Sequence, residues 1–182
     1  MAIQFSFALT KEDYINYYTY VFWDAPENRS KRLGYYVRQA LPLLAFILAF
    51  YYTGVFQRND VFISIVIVLI IITSGLSLFN VRGNTLRAAE RVANKKENSS
   101  LFEEKMIEIN ELGIFTKTNK VEINYLWEAF IRKNETPEYY FLFTSAHYAL
   151  IIPKRTFPTP AHKGTFEKLL LQHLSFEADF GS

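Results

Sequence analysis

The side chains that could support acid–base or metal chemistry are scattered along this chain. His147, His162 and His173 fall in a predicted hairpin loop, at a predicted helix start and on a helix face, a spacing that predicts no metal site. The absence of cysteine excludes disulfides, zinc–thiolate sites, iron–sulfur clusters and thiol catalysis. No P-loop, GxSxG, HExxH or glycine-rich dinucleotide motif occurs. The sequence therefore predicts neither catalytic residues nor a cofactor.

Acidic and aromatic residues of the C-terminal half have ordinary structural interpretations. Glu103, Glu104, Glu108 and Glu111 are best explained as a solvated face near the first strands of that half. Trp127 is better explained as a core residue than as a platform on which a ligand stacks.

Two pairs of basic residues are the candidate binding site. Lys154 and Arg155 directly follow a predicted buried strand, and Arg132 and Lys133 end an earlier one. Held near a membrane, they would contact anionic lipid headgroups at about 1 kcal/mol per residue. Ordinary solvation of strand ends is the alternative, and it is the more common situation. The net charge of +2, from 20 basic and 18 acidic residues, is too balanced for a nucleic-acid binder.

Two long apolar runs dominate the middle of the chain. Val61–Phe79 carries no charge and would span about 28 Å as a helix, close to the thickness of a bilayer core. Ala40–Phe56 is a second apolar run, and only Gln57–Asp60 separates the two. These features predict a transmembrane hairpin at residues 35–81, with helices at about 37–56 and 61–80. Basic residues flank both of its outer ends, so the positive-inside rule predicts two cytoplasmic termini.

The residues before this hairpin, 1–34, predict a strand and an amphipathic helix. Ile3, Phe5, Phe7 and Leu9 alternate with smaller or polar residues, and Thr10 stands at an N-cap position. The aromatic face of the helix would pack on the protein's own sheet or lie in the membrane interface, and the pattern leaves both open. We expect the strand to complete the C-terminal sheet, because the C-terminal segment alone is near the size at which one core is marginal.

The residues after the hairpin predict a juxtamembrane helix at 82–100 and a compact region at 101–178. Six short segments of period two follow one another, and a helix with apolar residues at helical spacing comes last. This order predicts an α+β fold in which a strongly bent antiparallel sheet or partial barrel is capped by a C-terminal helix.

The whole order of elements resembles the YcxB-like membrane proteins of bacteria. The resemblance is carried by Phe5–Tyr14, the apolar hairpin, Ile109 with Gly113 and Ile114, Trp127 with Ile131, Tyr140–Phe143, and Ile151–Arg155 with Phe157. It implies a multi-pass protein of the bacterial inner membrane whose cytoplasmic domain resembles pleckstrin-homology sheets. It implies no catalytic residues, because the motifs are structural.

The expected function is that of a membrane-anchored, non-catalytic interaction module. Its expected partners are the lipid bilayer and either anionic lipid headgroups or a membrane protein, not nucleic acid. The alternative is an accessory subunit of a membrane enzyme or transporter, and a hydrolase or transferase comes last. The sequence predicts no oligomeric state.

Overall fold

The computed structural model of the chain describes residues 2–52 and 61–174. The chain divides into two compact units, which are described separately below. One unit comprises Met1–Tyr17 with Glu90–Ser182, and the other comprises Tyr18–Ala89. The first unit is thus built from two stretches of chain that are far apart in sequence.

The first unit contains a four-stranded antiparallel sheet, here called sheet A. Its strands are β1 (Ile3–Phe7), β2 (Lys105–Asn110), β3 (Gly113–Lys117) and β4 (Glu122–Leu126), in the spatial order β1-β2-β3-β4. β1 pairs with β2 over its whole length, so the predicted pairing of the N-terminal strand with the C-terminal sheet is confirmed.

One face of sheet A belongs to the core. Strand register places Phe5, Ile107, Thr116 and Ile123 side by side across the four strands. The first three are buried, whereas Ile123 is 40% exposed. Because side chains alternate between the two faces of a strand, this row shows that the apolar face continues to β4 but is covered only under β1 to β3.

A three-stranded antiparallel sheet, sheet B, completes the β structure of this unit. It consists of β5 (Arg132–Glu135), β6 (Tyr139–Phe143) and β7 (Ala149–Pro153), with β6 in the centre. All five residues of β6 are buried. Helix α1 (Lys11–Thr19) covers one face, where the rings of Tyr17 and Phe141 lie 5.6 Å apart.

The final helix, α4 (Pro160–His173), covers the opposite face of sheet B. Its Phe166 is fully buried, 5.1 Å from the Tyr140 ring and 5.2 Å from the Phe157 ring. Phe157 also contacts Phe5 of sheet A at 5.0 Å. Sheet B is therefore covered on both faces, and one cluster of aromatic rings joins it to sheet A.

The predicted single bent sheet or partial barrel is wrong, because the strands form two separate sheets. The chain breaks between them at Trp127–Ala129, a 3-10 turn, although the sequence favours one continuous fourth strand from Trp127 to Lys133. The Trp127 indole donates to the carbonyl of Asn110 at 3.0 Å, and its ring stacks on His173 at 5.2 Å. The α+β composition and the core position of Trp127 are as predicted.

The second unit is helical. A π-helical turn (Tyr20–Asp24) and a 3-10 turn (Pro26–Asn28) lead into α2 (Arg29–Tyr52), and α3 runs from Val61 to Ala93, past the boundary of the unit. The two turns are held by side chains: buried Asn28 donates to the carbonyl of Val21 at 2.7 Å, and Arg32 donates to the carbonyls of Trp23 and Ala25.

The predicted transmembrane hairpin at 35–81 is wrong. Within residues 2–52 and 61–174, no helix is both long enough and apolar enough to cross a membrane. In α3, the apolar run is one part of a 33-residue helix that continues through Arg82, Arg87 and Arg91. Gln57–Asp60, the predicted connecting loop, lies outside the described residues.

The predicted location depended on the same hairpin. A multi-pass protein of the bacterial inner membrane with both termini in the cytoplasm requires spanning helices, and the described residues contain none. That prediction is therefore wrong too.

Candidate functional site

The start of α1 is fixed by a reciprocal pair of hydrogen bonds between Thr10 and Asp13. The Thr10 hydroxyl accepts from the backbone N–H of Asp13 at 3.1 Å, and the Thr10 backbone N–H donates to Asp13 Oδ2 at 2.7 Å. This arrangement is a capping box in which Asp takes the place of the usual Glu or Gln. It holds the Asp13 carboxylate at the helix N-terminus, pointing away from solvent.

Arg155, 142 residues further along the chain, completes the environment of that carboxylate. Its Nη1 and Nη2 donate to Asp13 Oδ1 and Oδ2 at 2.7 and 2.6 Å, as a bidentate pair. The Tyr139 hydroxyl donates to Oδ1 at 2.9 Å, and Asn16 donates in turn to the Tyr139 hydroxyl at 3.1 Å. Each carboxylate oxygen thus accepts two hydrogen bonds, which suits a structural clamp between α1 and sheet B.

The ionisation of Asp13 follows from these contacts. Burial of the side chain, 2% exposed, favours the neutral acid, but the hydrogen bonds from Arg155, Thr10 and Tyr139 outweigh that effect and hold the pKa of Asp13 below its ordinary value of 3.8. The pKa of Arg155 is raised by its hydrogen bonds to Asp13. Both groups therefore stay charged across the ordinary pH range.

Lys154 forms its contacts on the face of sheet B that α4 covers. Its Nζ lies 2.5 Å from Glu135 Oε1 and 4.7 Å from the centre of the Tyr140 ring. The Tyr140 hydroxyl donates to Glu167 of α4, and burial followed by the proximity of Glu167 raises the pKa of Tyr140. The charge of Lys154 is therefore compensated by a carboxylate of β5 next to the packed α4 face.

A cleft of about 500 Å³ opens beside the clamp. Three short segments line it: the start of α1, the turn before β6 and the turn after β7. Their lining residues are Thr10, Glu12, Asp13, Pro137, Glu138, Tyr139, Lys154 and Arg155. This volume lies within the range of small-ligand pockets.

The charges in this cleft are unequally balanced. Arg155 is paired with Asp13, and Lys154 is paired with Glu135. Glu12 and Glu138 are exposed, and neither forms an ion pair within the described part of the chain. The uncompensated charge of the cleft is therefore negative.

The four basic residues singled out from the sequence do not form one patch. Arg132 and Lys133 are consecutive in β5, so their side chains point to opposite faces of sheet B. The guanidinium carbon of Arg132 lies 4.0 Å from the centre of the Phe143 ring, on the face that carries Phe141. Lys133 lies opposite Leu142 in the register, on the other face. The structure brings only Lys154 and Arg155 to a common cleft.

The three histidines lie in three different places. His162 Nδ1 is 2.8 Å from the Thr159 hydroxyl at the N-cap of α4, and His173 stacks on Trp127. The backbone carbonyl of His147 accepts a hydrogen bond from the buried Tyr17 hydroxyl at 2.5 Å. Across residues 2–52 and 61–174, no three His, Asp or Glu side chains are grouped as a metal site would need.

Sequence reasoning missed the residues that organise the cleft, above all Asp13, Tyr139 and Glu138. By its position in the first turn of a helix, Asp13 is an acid of the kind that the helix dipole favours, which by itself indicates no site. The spacing Thr10-x-x-Asp13 was the available signal for a capping box. Nothing in the sequence identifies Arg155 as its partner.

The family resemblance is supported for part of the chain. Residues 109–170, from the end of β2 through most of α4, match the family model described as YcxB-like protein. The match therefore covers β3 to β7 and leaves out β1 and α1. No curated protein and no solved structure matches the chain.

Proposed function

We propose that the unit containing the YcxB-like segment is a non-catalytic interaction module, and that its cleft binds a basic side chain of a protein partner. The observation that carries the proposal is the charge balance of the cleft. Both of its basic residues are held by carboxylates, and Glu12 and Glu138 are left to face solvent.

Rigid elements position the two free carboxylates. Glu12 lies in the first turn of α1, whose position is set by the clamp between Asp13 and Arg155. Glu138 follows Pro137 directly, and its backbone carbonyl accepts from the N–H of Lys154 at 2.8 Å. The backbone at both positions is therefore fixed before a ligand binds, so that binding would order only the two glutamate side chains.

The size and chemistry of the cleft fit an extended cationic side chain. The volume of about 500 Å³ is ample for the guanidinium and methylene groups of an arginine. The Tyr139 ring and Pro137 would contact the methylenes, and the two carboxylates would accept from the guanidinium. Exposed ion pairs contribute little each, so we expect weak binding that salt screens readily.

Binding to anionic lipid headgroups is the competing proposal. It would require Lys154 and Arg155 to act as free cations, yet each already lies within 2.6 Å of a carboxylate oxygen. Glu12 and Glu138 would also repel a phosphate at the mouth of the cleft. These charges favour a basic protein partner over a lipid surface.

The test is the binding of acetylated tetra-arginine amide to the full-length chain, measured by isothermal titration calorimetry at low salt. The double variant Glu12→Gln with Glu138→Gln should weaken binding about tenfold. The control variant Glu97→Gln with Glu104→Gln changes the net charge equally at exposed positions outside the cleft, so it should bind like the parent chain.

Two results would overturn the proposal. One is equal loss of binding in the two double variants, which would mean that only net charge matters. The other is binding to vesicles of phosphatidylserine without binding to the arginine peptide, which would favour the lipid proposal.

A further inference from the structure

The acidic cleft has a basic neighbour at the start of α1. Lys11 directly precedes Glu12, but it does not line the cleft. Its Nζ donates to the side-chain oxygen of Asn94 at 2.6 Å, one residue past the end of α3. The side chains of Lys11 and Glu12 therefore leave α1 in two directions, one towards the end of α3 and the other into the cleft.

The end of α3 carries further basic side chains on the same side. The N–H of Asn94 donates to the carbonyl of Glu90 at 2.9 Å, so helical hydrogen bonding continues past Ala93. Arg91 lies three residues before Asn94 and four before Lys95. Residues at these spacings are neighbours on a helix surface. Arg91 and Lys95 therefore flank the amide that Lys11 contacts.

Lys11, Arg91 and Lys95 together form what we call the basic patch. All three are exposed, and none forms an ion pair within the described part of the chain. The Asn94 amide is neutral, so its hydrogen bond leaves the charge of Lys11 uncompensated. Exposed Glu90 borders the patch, which stays net positive. The basic residues of the cleft, by contrast, are held by carboxylates.

The patch and the cleft are close enough for one short peptide to contact both. The Cα atoms of Lys11 and Glu12 are about 3.8 Å apart, because the two residues are consecutive. An extended peptide advances about 3.3–3.6 Å per residue. Three residues of a partner, about 10 Å, therefore lead from the glutamates of the cleft to the cations beside it.

We propose that the partner segment carries both signs of charge: its basic side chain enters the cleft, and an acidic side chain about three residues away contacts the basic patch. This inference rests on the proposed function and specifies the partner of the same site. Two opposite charges at a fixed separation also orient the partner, since complementary potentials set the register of an interface.

Partners of a single charge sign fit this surface less well. Glu12 and Glu138 repel a polyanion such as nucleic acid or an anionic lipid surface, and no cation of the cleft is free to offset them. The basic patch repels a purely basic segment at the point where it leaves the cleft. A segment with both signs meets opposite charge at each position.

The first experiment compares two peptides by isothermal titration calorimetry on the full-length chain at low salt. One is acetyl-Arg-Arg-Arg-Arg-Gly-Gly-Asp-Asp-amide, and the other has Asn-Asn in place of Asp-Asp; both are also made in the reverse order. Attraction to the cleft alone predicts tighter binding of the asparagine peptide, which has the higher positive charge. We expect the aspartate peptide to bind about three- to tenfold tighter, and salt to reduce this preference.

The second experiment locates the source of that preference. In the variant Arg91→Gln with Lys95→Gln, the ratio of the two dissociation constants should fall to about one. The control Lys31→Gln with Lys168→Gln removes as much charge at exposed positions outside the patch and the cleft, so it should keep the ratio of the parent. Arg91→Lys with Lys95→Arg keeps both charges and should keep it too. An equal ratio in the two glutamine variants would overturn the inference.

The same measurements separate this inference from the proposed function. If both peptides bind, and both are weakened by Glu12→Gln with Glu138→Gln, but the aspartate peptide is not the tighter one, the cleft binds a basic side chain and the inference is wrong. If neither peptide binds, both proposals fail. Binding of acetylated tetra-aspartate amide as tightly as the mixed peptide would mean that the patch acts without the cleft, which also overturns the inference.

Discussion

Strands β6 and β4 have the same length and are both antiparallel, yet their surroundings differ completely. β6 lies between two strands, and its faces are covered by α1 and α4, so all five of its residues are buried. β4 has one neighbouring strand, and four of its five residues are exposed. The comparison shows that sheet B is the rigid part of the unit. The outer edge of sheet A, along β4, is exposed surface that another molecule could contact.

The largest effect that bears on this comparison should come from removing β1. Deleting residues 1–9 takes four buried apolar side chains out of the core and leaves β2 as a new free edge. We expect the unit to lose its cooperative melting transition and to become sensitive to protease. Ser6→Ala, on the opposite face of the same strand, should change the melting temperature little. An unchanged melting curve in the deletion would mean that β1 contributes nothing to the core.

The next largest effect should come from the packing of α4 on sheet B. Phe166→Ala removes a fully buried ring between Tyr140 and Phe157 and should lower the free energy of unfolding by about 3–5 kcal/mol. Leu171→Ala, on the same helix but 69% exposed, should change it by less than about 0.5 kcal/mol. Urea denaturation measures both changes in the free energy of unfolding. Similar values for the two variants would contradict the packing of α4 on sheet B.

Breaking the clamp between α1 and sheet B should have an intermediate effect. Asp13→Asn replaces a carboxylate that accepts four hydrogen bonds by an amide whose NH₂ faces donors, at a cost of about 2–3 kcal/mol. The neighbouring Glu12→Gln is exposed and should be close to neutral in urea denaturation. Equal stability of the two variants would mean that the hydrogen bonds to Asp13 do not stabilise the fold.

The same clamp predicts a pH dependence. Because the pKa of Asp13 is lower in the folded chain than its ordinary value of 3.8, this group stabilises the fold above about pH 4. That contribution is lost as the pH falls through the folded-state pKa. Acid titration of the parent chain should therefore show a loss of stability below about pH 4 that is smaller in Asp13→Asn, and parallel profiles would contradict the lowered pKa.

The smallest effect should be found at the open edge. Ile107 and Ile123 lie in one row of sheet A, but Ile107 is fully buried and Ile123 is 40% exposed. Ile107→Ala should lower the free energy of unfolding by about 2–5 kcal/mol, and Ile123→Ala should lower it by about 1 kcal/mol or less. Urea denaturation measures both values, at concentrations where the chain is monomeric. A large cost at Ile123 would mean that β4 belongs to the closed core.

The strands of the first unit could be predicted from the sequence because local periodicity determines them. Ile3, Phe5 and Phe7 alternate with polar or smaller residues, and all three face the core. The pairing of β1 with the C-terminal sheet could be predicted from the small size of the C-terminal segment, which alone forms only a marginal core. The break at Trp127 could not be predicted, because it depends on a hydrogen bond to Asn110 that only the folded chain forms.

The site was predicted less well, for electrostatic reasons. Sequence shows that Lys154 and Arg155 are basic, but not that Glu135 and Asp13 neutralise them from distant positions. The predicted hairpin was wrong because no helix among the described residues is both long enough and apolar enough to cross a membrane. The error at Lys154 and Arg155 came from judging side chains by their neighbours in sequence instead of their neighbours in space.

The pairing of Asp13 with Arg155 has a consequence for synthesis on the ribosome. Because Arg155 lies 142 residues after Asp13, α1 and β1 leave the exit tunnel long before the strands and the guanidinium that will hold them. At translation rates of about 5–20 residues per second, the delay is roughly 7–28 s. During that time the nascent chain exposes an apolar strand and an unpaired acid. We therefore expect a holdase chaperone to bind nascent chains arrested before Arg155 is made, and not to bind chains arrested after the turn that follows β7 has emerged.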